Sequence, residues 1–170
     1  MRHGLSAVMK PDLLALLRAL SLHGVEHVVV GRVAAILEGA PISTLDLDIV
    51  YRVEDANLHR LQALLTEIEA RYRDPAGREI EATVERLRTN RVNLLQTREG
   101  LLDAMQEIGA GWSYDDLLSR AHIRSVGELE VQVLDLASVI ESKQAAGRDK
   151  DTAMLPVLEQ TLEMRRREQP

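Results

Sequence analysis

The sequence predicts an α+β fold, and three observations predict it. Strand-like runs rich in Val, Ile and Leu stand at 25–30, 45–50, 92–97, 101–105, 122–126 and 130–134. Leucines recur at helical spacing between and beyond them, first at Leu13, Leu16, Leu17 and Leu20. The last apolar stripe, Leu155, Leu158 and Leu162, is again helical, so the chain has a helical C-terminal end.

Residues 1–10 read as a loose lead-in. Pro11 opens the first helix, a favoured first-turn position, and His23-Gly24 closes it. Val25 to Val30 is the first strand, with His27 a packed or edge residue. Gly31 breaks that strand. A short amphipathic segment, Arg32 to Glu38, follows and ends at Gly39. The turn Ala40 to Thr44 leads into the strand Leu45 to Val50. Glu54-Asp55 then starts a helix that runs to about Tyr72, with Leu58, Leu61, Leu65 and Ile68 on one face. Asp74-Pro75-Ala76-Gly77 is a break. Glu79 to Leu87 has helical composition but a weak stripe, and reads as an insertion over the site. Arg86, Arg88 and Arg91 form either a solvated face or the wall of a phosphate-rich groove.

Val92 to Thr97 and Leu101 to Met105 form a hairpin around Gly100. Gly109 to Trp112 is another break. Ser113 caps a short helix whose first turn carries Asp115 and Asp116, placed there by the helix dipole. Trp112 packs against this helix. His122 to Val126 and Glu130 to Leu134 form a second hairpin around Gly127-Glu128, and His122 reads as structural. Asp135 caps a helix through Ala137, Val139, Ile140 and Lys143. The final helix has Pro156 in or near its first turns and ends in an exposed, frayed Arg165-Arg166-Arg167.

Composition narrows the function classes. The 170 residues suit one domain with a proper core, which is aliphatic because Phe is absent and aromatics are 2%. A net charge of −6 offers no global basic surface for nucleic acid, leaving only a local patch. The absence of Cys excludes disulfides and thiolate metal sites. No apolar run reaches the length of a membrane span and the N-terminus shows no signal-peptide core, so a cytoplasmic protein is expected.

The chemistry concentrates in Leu45-Asp46-Leu47-Asp48-Ile49-Val50. Side chains alternate along a strand, so Asp46 and Asp48 share a face while Leu45, Leu47 and Ile49 take the other. Two like charges side by side need a cation, and oxygen-only ligands favour magnesium or manganese. Asp103 is a third acid in an otherwise apolar strand. Such a charge needs a partner, water at a strand edge, or a function.

The order strand, glycine, short helix, glycine, turn, acidic strand resembles the nucleotidyltransferase superfamily, which has the polymerase-beta-like fold. Gly31, Gly39, Thr44, Asp46 and Asp48 match its pattern, while Arg32 and Ile42 replace the small residue and the arginine usual there. Gly100-Leu101-Leu102-Asp103 resembles the turn that carries the third catalytic carboxylate. Lys143, Arg148, Lys150 and Asp151 resemble a motif of small bacterial nucleotidyltransferases related to abortive-infection toxins, although Arg148 and Asp151 also read as a salt bridge between helices.

The resemblance spans residues 10–165 and implies a mixed sheet flanked by helices in a single domain over 1–170. It implies Asp46, Asp48 and Asp103 as catalytic and metal-binding residues. It implies Gly31, Arg32, Thr44 and Lys143 as nucleotide contacts. The activity implied is metal-dependent transfer of a nucleotidyl group from a nucleoside triphosphate to a hydroxyl on RNA, protein or a small molecule, in some relatives as the toxin of a toxin–antitoxin pair. Two other readings stand beside it: a weakened member that binds a nucleotide or partner protein, such as an antitoxin, and an unrelated α+β domain with a chance Asp-x-Asp.

Overall fold

Asp12, not Pro11, starts the first helix: its carboxylate accepts the Ala15 amide at 2.9 Å, and α1 runs Leu13–Leu22. The computed structural model describes residues 11–169, so the lead-in expected at 1–10 lies outside it. The elements that follow α1 are β1 (His27–Val30), α2 (Gly31–Leu37), β2 (Asp46–Tyr51) and α3 (Asp55–Glu67). Next come β3 (Arg71–Tyr72), α4 (Val84–Thr89), β4 (Val92–Thr97) and β5 (Gly100–Met105). A small ribbon, β6 (Glu107–Ile108) with β7 (Trp112–Ser113), precedes α5 (Tyr114–Leu118). The chain continues through β8 (Ala121–Val126), β9 (Leu129–Leu134), α6 (Leu136–Ala146) and α7 (Asp149–Glu168).

The main sheet has seven strands in the order β3-β4-β5-β2-β1-β9-β8. It is mixed, as expected: β2 pairs with β5 and β1 with β9 in parallel, and the other neighbours are antiparallel. Leu47, Ile49 and Tyr51 of β2 are fully buried on one face. There α1, α3 and α4 gather, and the Tyr51 hydroxyl donates to Leu87 O of α4 at 2.6 Å. The opposite face carries Asp46 and Asp48, beside α2, α6 and α7.

Several local expectations change. The helix expected to reach Tyr72 stops at Glu67, because Glu69 turns the chain with φ 56° and Arg71–Tyr72 pairs with β4. The helix expected over 79–87 is Val84–Thr89, and Glu81 instead bridges to Arg71 in extended backbone. Since α4 bonds to Tyr51, at the far end of β2 from Asp46, it does not cover the site. Leu45 falls outside β2 and is 65% exposed, so it is not a core residue.

The end of α7 is pinned, not frayed. Glu38, buried just after α2, receives Arg165 at 2.7 Å and Arg124 of β8 at 2.7 Å, and His122 also bonds to it. A buried carboxylate is tolerable only with such partners. His122 is therefore structural, as expected. Trp112 is partly buried and stacks on Arg120, whose guanidinium lies 4.0 Å from its ring centroid. Ser113 and Asp116 form a reciprocal cap on α5.

Removing the carboxylate should leave its cations facing each other inside the fold. Glu38→Ala is expected to lose about 3 kcal/mol in urea unfolding, the range for breaking a buried pair. Arg167→Ala, which removes only an exposed pair with Glu163, should change stability by less than about 1 kcal/mol.

Candidate active site

The parallel register of β2 and β5 sets Asp48 beside Asp103 and Asp46 beside Leu101. Neighbouring residues at matched positions point to the same side of a sheet, so all three carboxylates lie on one face. They open onto a cavity of about 440 Å³. Arg32, Thr44, Leu45, Lys143, Arg148, Lys150 and Asp151 also line it. Arg86, Arg88 and Arg91 do not; Arg88 bonds Asp55 at 2.7 Å and Arg91 pairs with Glu107, near the far end of β5.

Gly31 does not line the cavity. It begins α2 with φ 62°, and a Cβ there would overlap the Asp48 carboxylate. Its role is to let Asp48 stand against the backbone. Arg32 reaches along the cavity wall, with Nη1 at 3.4 Å from Ser43 O. Ile42, where the resemblance asks for an arginine, packs against the hydrophobic core. The Thr44 hydroxyl accepts the Asp46 amide and donates to Asp46 O, both at 3.2 Å, so it fixes the turn into β2. Lys143 stands 3.5 Å from buried Asp151, which Arg148 holds at 2.7 Å. The expected Arg148–Asp151 bridge is present, between α7 and the residue before it.

Burial and the neighbouring Asp103 push the Asp48 carboxyl up to about 7. Asp103 is raised as well, by burial first, against the lowering pull of Arg73. The two acids therefore disfavour joint ionisation when no cation is near. His27, partly buried on β1, has its proton affinity lowered by desolvation, and its Nδ1 donates to Val25 O at 2.8 Å. It is a packed residue, as expected.

Among the described residues no three of His, Asp and Glu converge tightly enough to form a ready cation cage. Asp103 is instead bonded to Arg73. The residues still fit one hard cation: Asp48 Oδ1 is buried with no hydrogen-bond partner, and Asp46 shares its face. Arg73 was not singled out by sequence. It sits in the turn before Asp74-Pro75, and its one signal is its place after the segment that becomes β3.

No protein-family model matches the sequence, and no curated protein matches it. Solved structures do. A proposed nucleotidyltransferase from Thermotoga maritima aligns over 85% of this chain and 88% of its own, with TM-score 0.55 and 17% identity. The antibiotic-resistance factor ANT(2'')-Ia aligns over 88% of this chain and 82% of its own, with TM-score 0.58 and 12% identity. The fold is nucleotidyltransferase-like. The expected architecture, a mixed sheet flanked by helices with a helical end, is the one observed. Among the described residues no helix is long and apolar enough to cross a membrane.

Two outcomes follow from this packing. Gly31→Ala should cost about 2–4 kcal/mol, from a left-handed backbone and overpacking against Asp48, measured by urea unfolding. The second concerns Asp48. The folded protein keeps a proton that the unfolded chain releases near pH 4. The stability this gives is full below that pH and is lost as pH rises towards the folded value of about 7. In metal-free buffer at pH 8, Asp48→Asn should therefore be more stable than the wild type by on the order of 3 kcal/mol. At pH 4 the two should match within about 1 kcal/mol.

Proposed function

We propose that the protein transfers a nucleotidyl group from a nucleoside triphosphate to an acceptor hydroxyl, with magnesium or manganese bound. The observation that carries this reading is the division of charge across one cavity. Asp46, Asp48 and Asp103 stand on the sheet, and Arg32, Lys143, Arg148 and Lys150, with Asp151 among them, line the same cavity from α2, α6 and the start of α7. A polyanion that also carries a divalent cation suits both walls.

Asp46 and Asp48 would hold the cation, with Asp103 close by. When bound, the ion supplies positive charge to the phosphate oxygens and to the departing pyrophosphate. Lys143 and Lys150 bind the phosphates as point charges, and Arg32 adds a planar donor at the cavity wall. Asp151 holds Lys143 and Arg148 in place before the donor arrives. In the transfer, the acceptor oxygen bonds to the α-phosphorus and the bond from that phosphorus to pyrophosphate breaks. The acceptor proton passes to Asp103. Acids fixed on paired strands and cations fixed on packed helices need little reorganisation for this step.

The acceptor class of the reading is RNA, protein or a small molecule. The fold likeness supports the reaction type, and the cavity chemistry supports the donor.

Calorimetric titration with each nucleoside triphosphate, with and without magnesium, tests the reading. Binding should require magnesium, weaken at least about tenfold in Lys143→Met, and vanish in Asp46→Ala/Asp48→Ala. Incorporation of label from the α-phosphate should then be seen with wild type alone. Binding that ignores both magnesium and the double substitution would overturn the assignment.

A further inference from the structure

Arg73 stands apart from the other cations of the site. Arg32, Lys143, Arg148 and Lys150 line the cavity from α2, α6, α7 and the residue before α7. Arg73 follows β3, at the opposite edge of the sheet, and does not line that cavity. Its amide donates to Leu94 O at 3.0 Å, which roots it beside the middle of β4. Among the described residues its guanidinium makes one bond, from Nη2 to Asp103, and its Nε is buried without a partner. A guanidinium offers five donors in a planar fork. The Arg73 side chain is 29% exposed, and a partly open fork so near a reacting centre is suited to an anion.

The sheet face beside the Arg73–Asp103 contact is open and apolar. Leu94 lies opposite Asp103 and Val92 opposite Met105, so they share the face that carries the acids. Leu94 is 45% exposed and Val92 50%, although Asn93 and Leu95 of the same strand are fully buried. The exposure therefore belongs to the face and not to a loose strand. Apolar residues left open on an interior strand, beside reactive carboxylates, are suited to cover by a flat or apolar group.

We propose that this face receives the acceptor, and that the acceptor is a small hydroxyl compound carrying an anionic group bound by Arg73. The inference rests on the nucleotidyl-transfer reading and names the chemical class of its second substrate. The apolar side of the acceptor lies on Leu94. Its phosphate or carboxylate takes the Arg73 fork, and its hydroxyl comes within reach of Asp103. The donor enters from the lysine flank, so the two substrates occupy opposite sides of the acids. A cationic acceptor would meet Arg73 and be disfavoured.

Matched acceptor probes test this on the full chain: ribose against ribose 5-phosphate, and glycerol against glycerol 3-phosphate and glycerate. Binding is followed by Leu94 methyl resonances, and donor affinity is measured in the same samples. The anionic member of at least one pair should bind about ten- to a hundredfold more tightly than its neutral partner. Arg73→Gln should abolish that preference and leave donor affinity within about twofold, while Arg73→Lys should restore part of it. Val92→Gln should weaken both members alike. Equal binding within every pair, or a preference that survives Arg73→Gln, would overturn the proposal. Loss of donor binding in the wild type would instead remove the nucleotidyl-transfer reading, with the Leu94 resonances still reporting anion recognition separately. Phosphate bound as well as glycerate identifies a general anion fork. A preference for one of them names the group.

Discussion

The parallel pairing of β2 with β5 is the constraint on which the site depends. It places Asp48 beside Asp103, and burial on that face makes two ionised carboxylates unfavourable together. The same pairing dictates the path of the chain. Parallel neighbours require a crossover, since a tight hairpin cannot join them. Here the connection runs through α3, β3, α4 and β4. That detour delivers Arg73 to Asp103, so the counter-charge on one flank is a product of the connection that created the clash.

The other flank is organised by a single buried acid. Asp151, in the first turn of α7, accepts from Arg148 and stands near Lys143 of α6. Its carboxyl is lowered by those partners, Arg148 foremost, against its own burial. One carboxylate thus aligns cations from two adjoining helical segments. Gly147, with φ 65°, provides the sharp left-handed end of α6 that lets the two helices meet there.

Much of this was legible in the sequence because it rests on period and on local chemistry. Asp46, Asp48 and Asp103 declared themselves as acids at alternate or isolated positions in apolar strands. The caps of α5 and α6, Ser113 and Asp135, were visible from residue type alone. What was hidden depended on partners far along the chain. Nothing in the stripe Leu61, Leu65, Ile68 marks the end of α3, because Glu69 takes a left-handed turn and Tyr72 is claimed by β4. Leu45 continues the alternation on paper, yet β2 begins after it. Arg165 read as an exposed charge and Arg73 went unnoticed, because their acids, Glu38 and Asp103, lie elsewhere in the chain.

The Glu38 contact has a temporal side. Arg165 and Glu38 are 127 residues apart in sequence, whereas α1, β1 and β2 are nearly consecutive. Contacts between distant residues form late, because a long loop must close first. On a ribosome α1, β1 and β2 emerge well before the α7 arginine. The turn from Gly39 to Thr44 that leads into the acidic strand is therefore made long before its clamp. A nascent chain would carry its carboxylates on a strand whose turn lacks this clamp until α7 has been made, and the geometry of the candidate site would be completed only then.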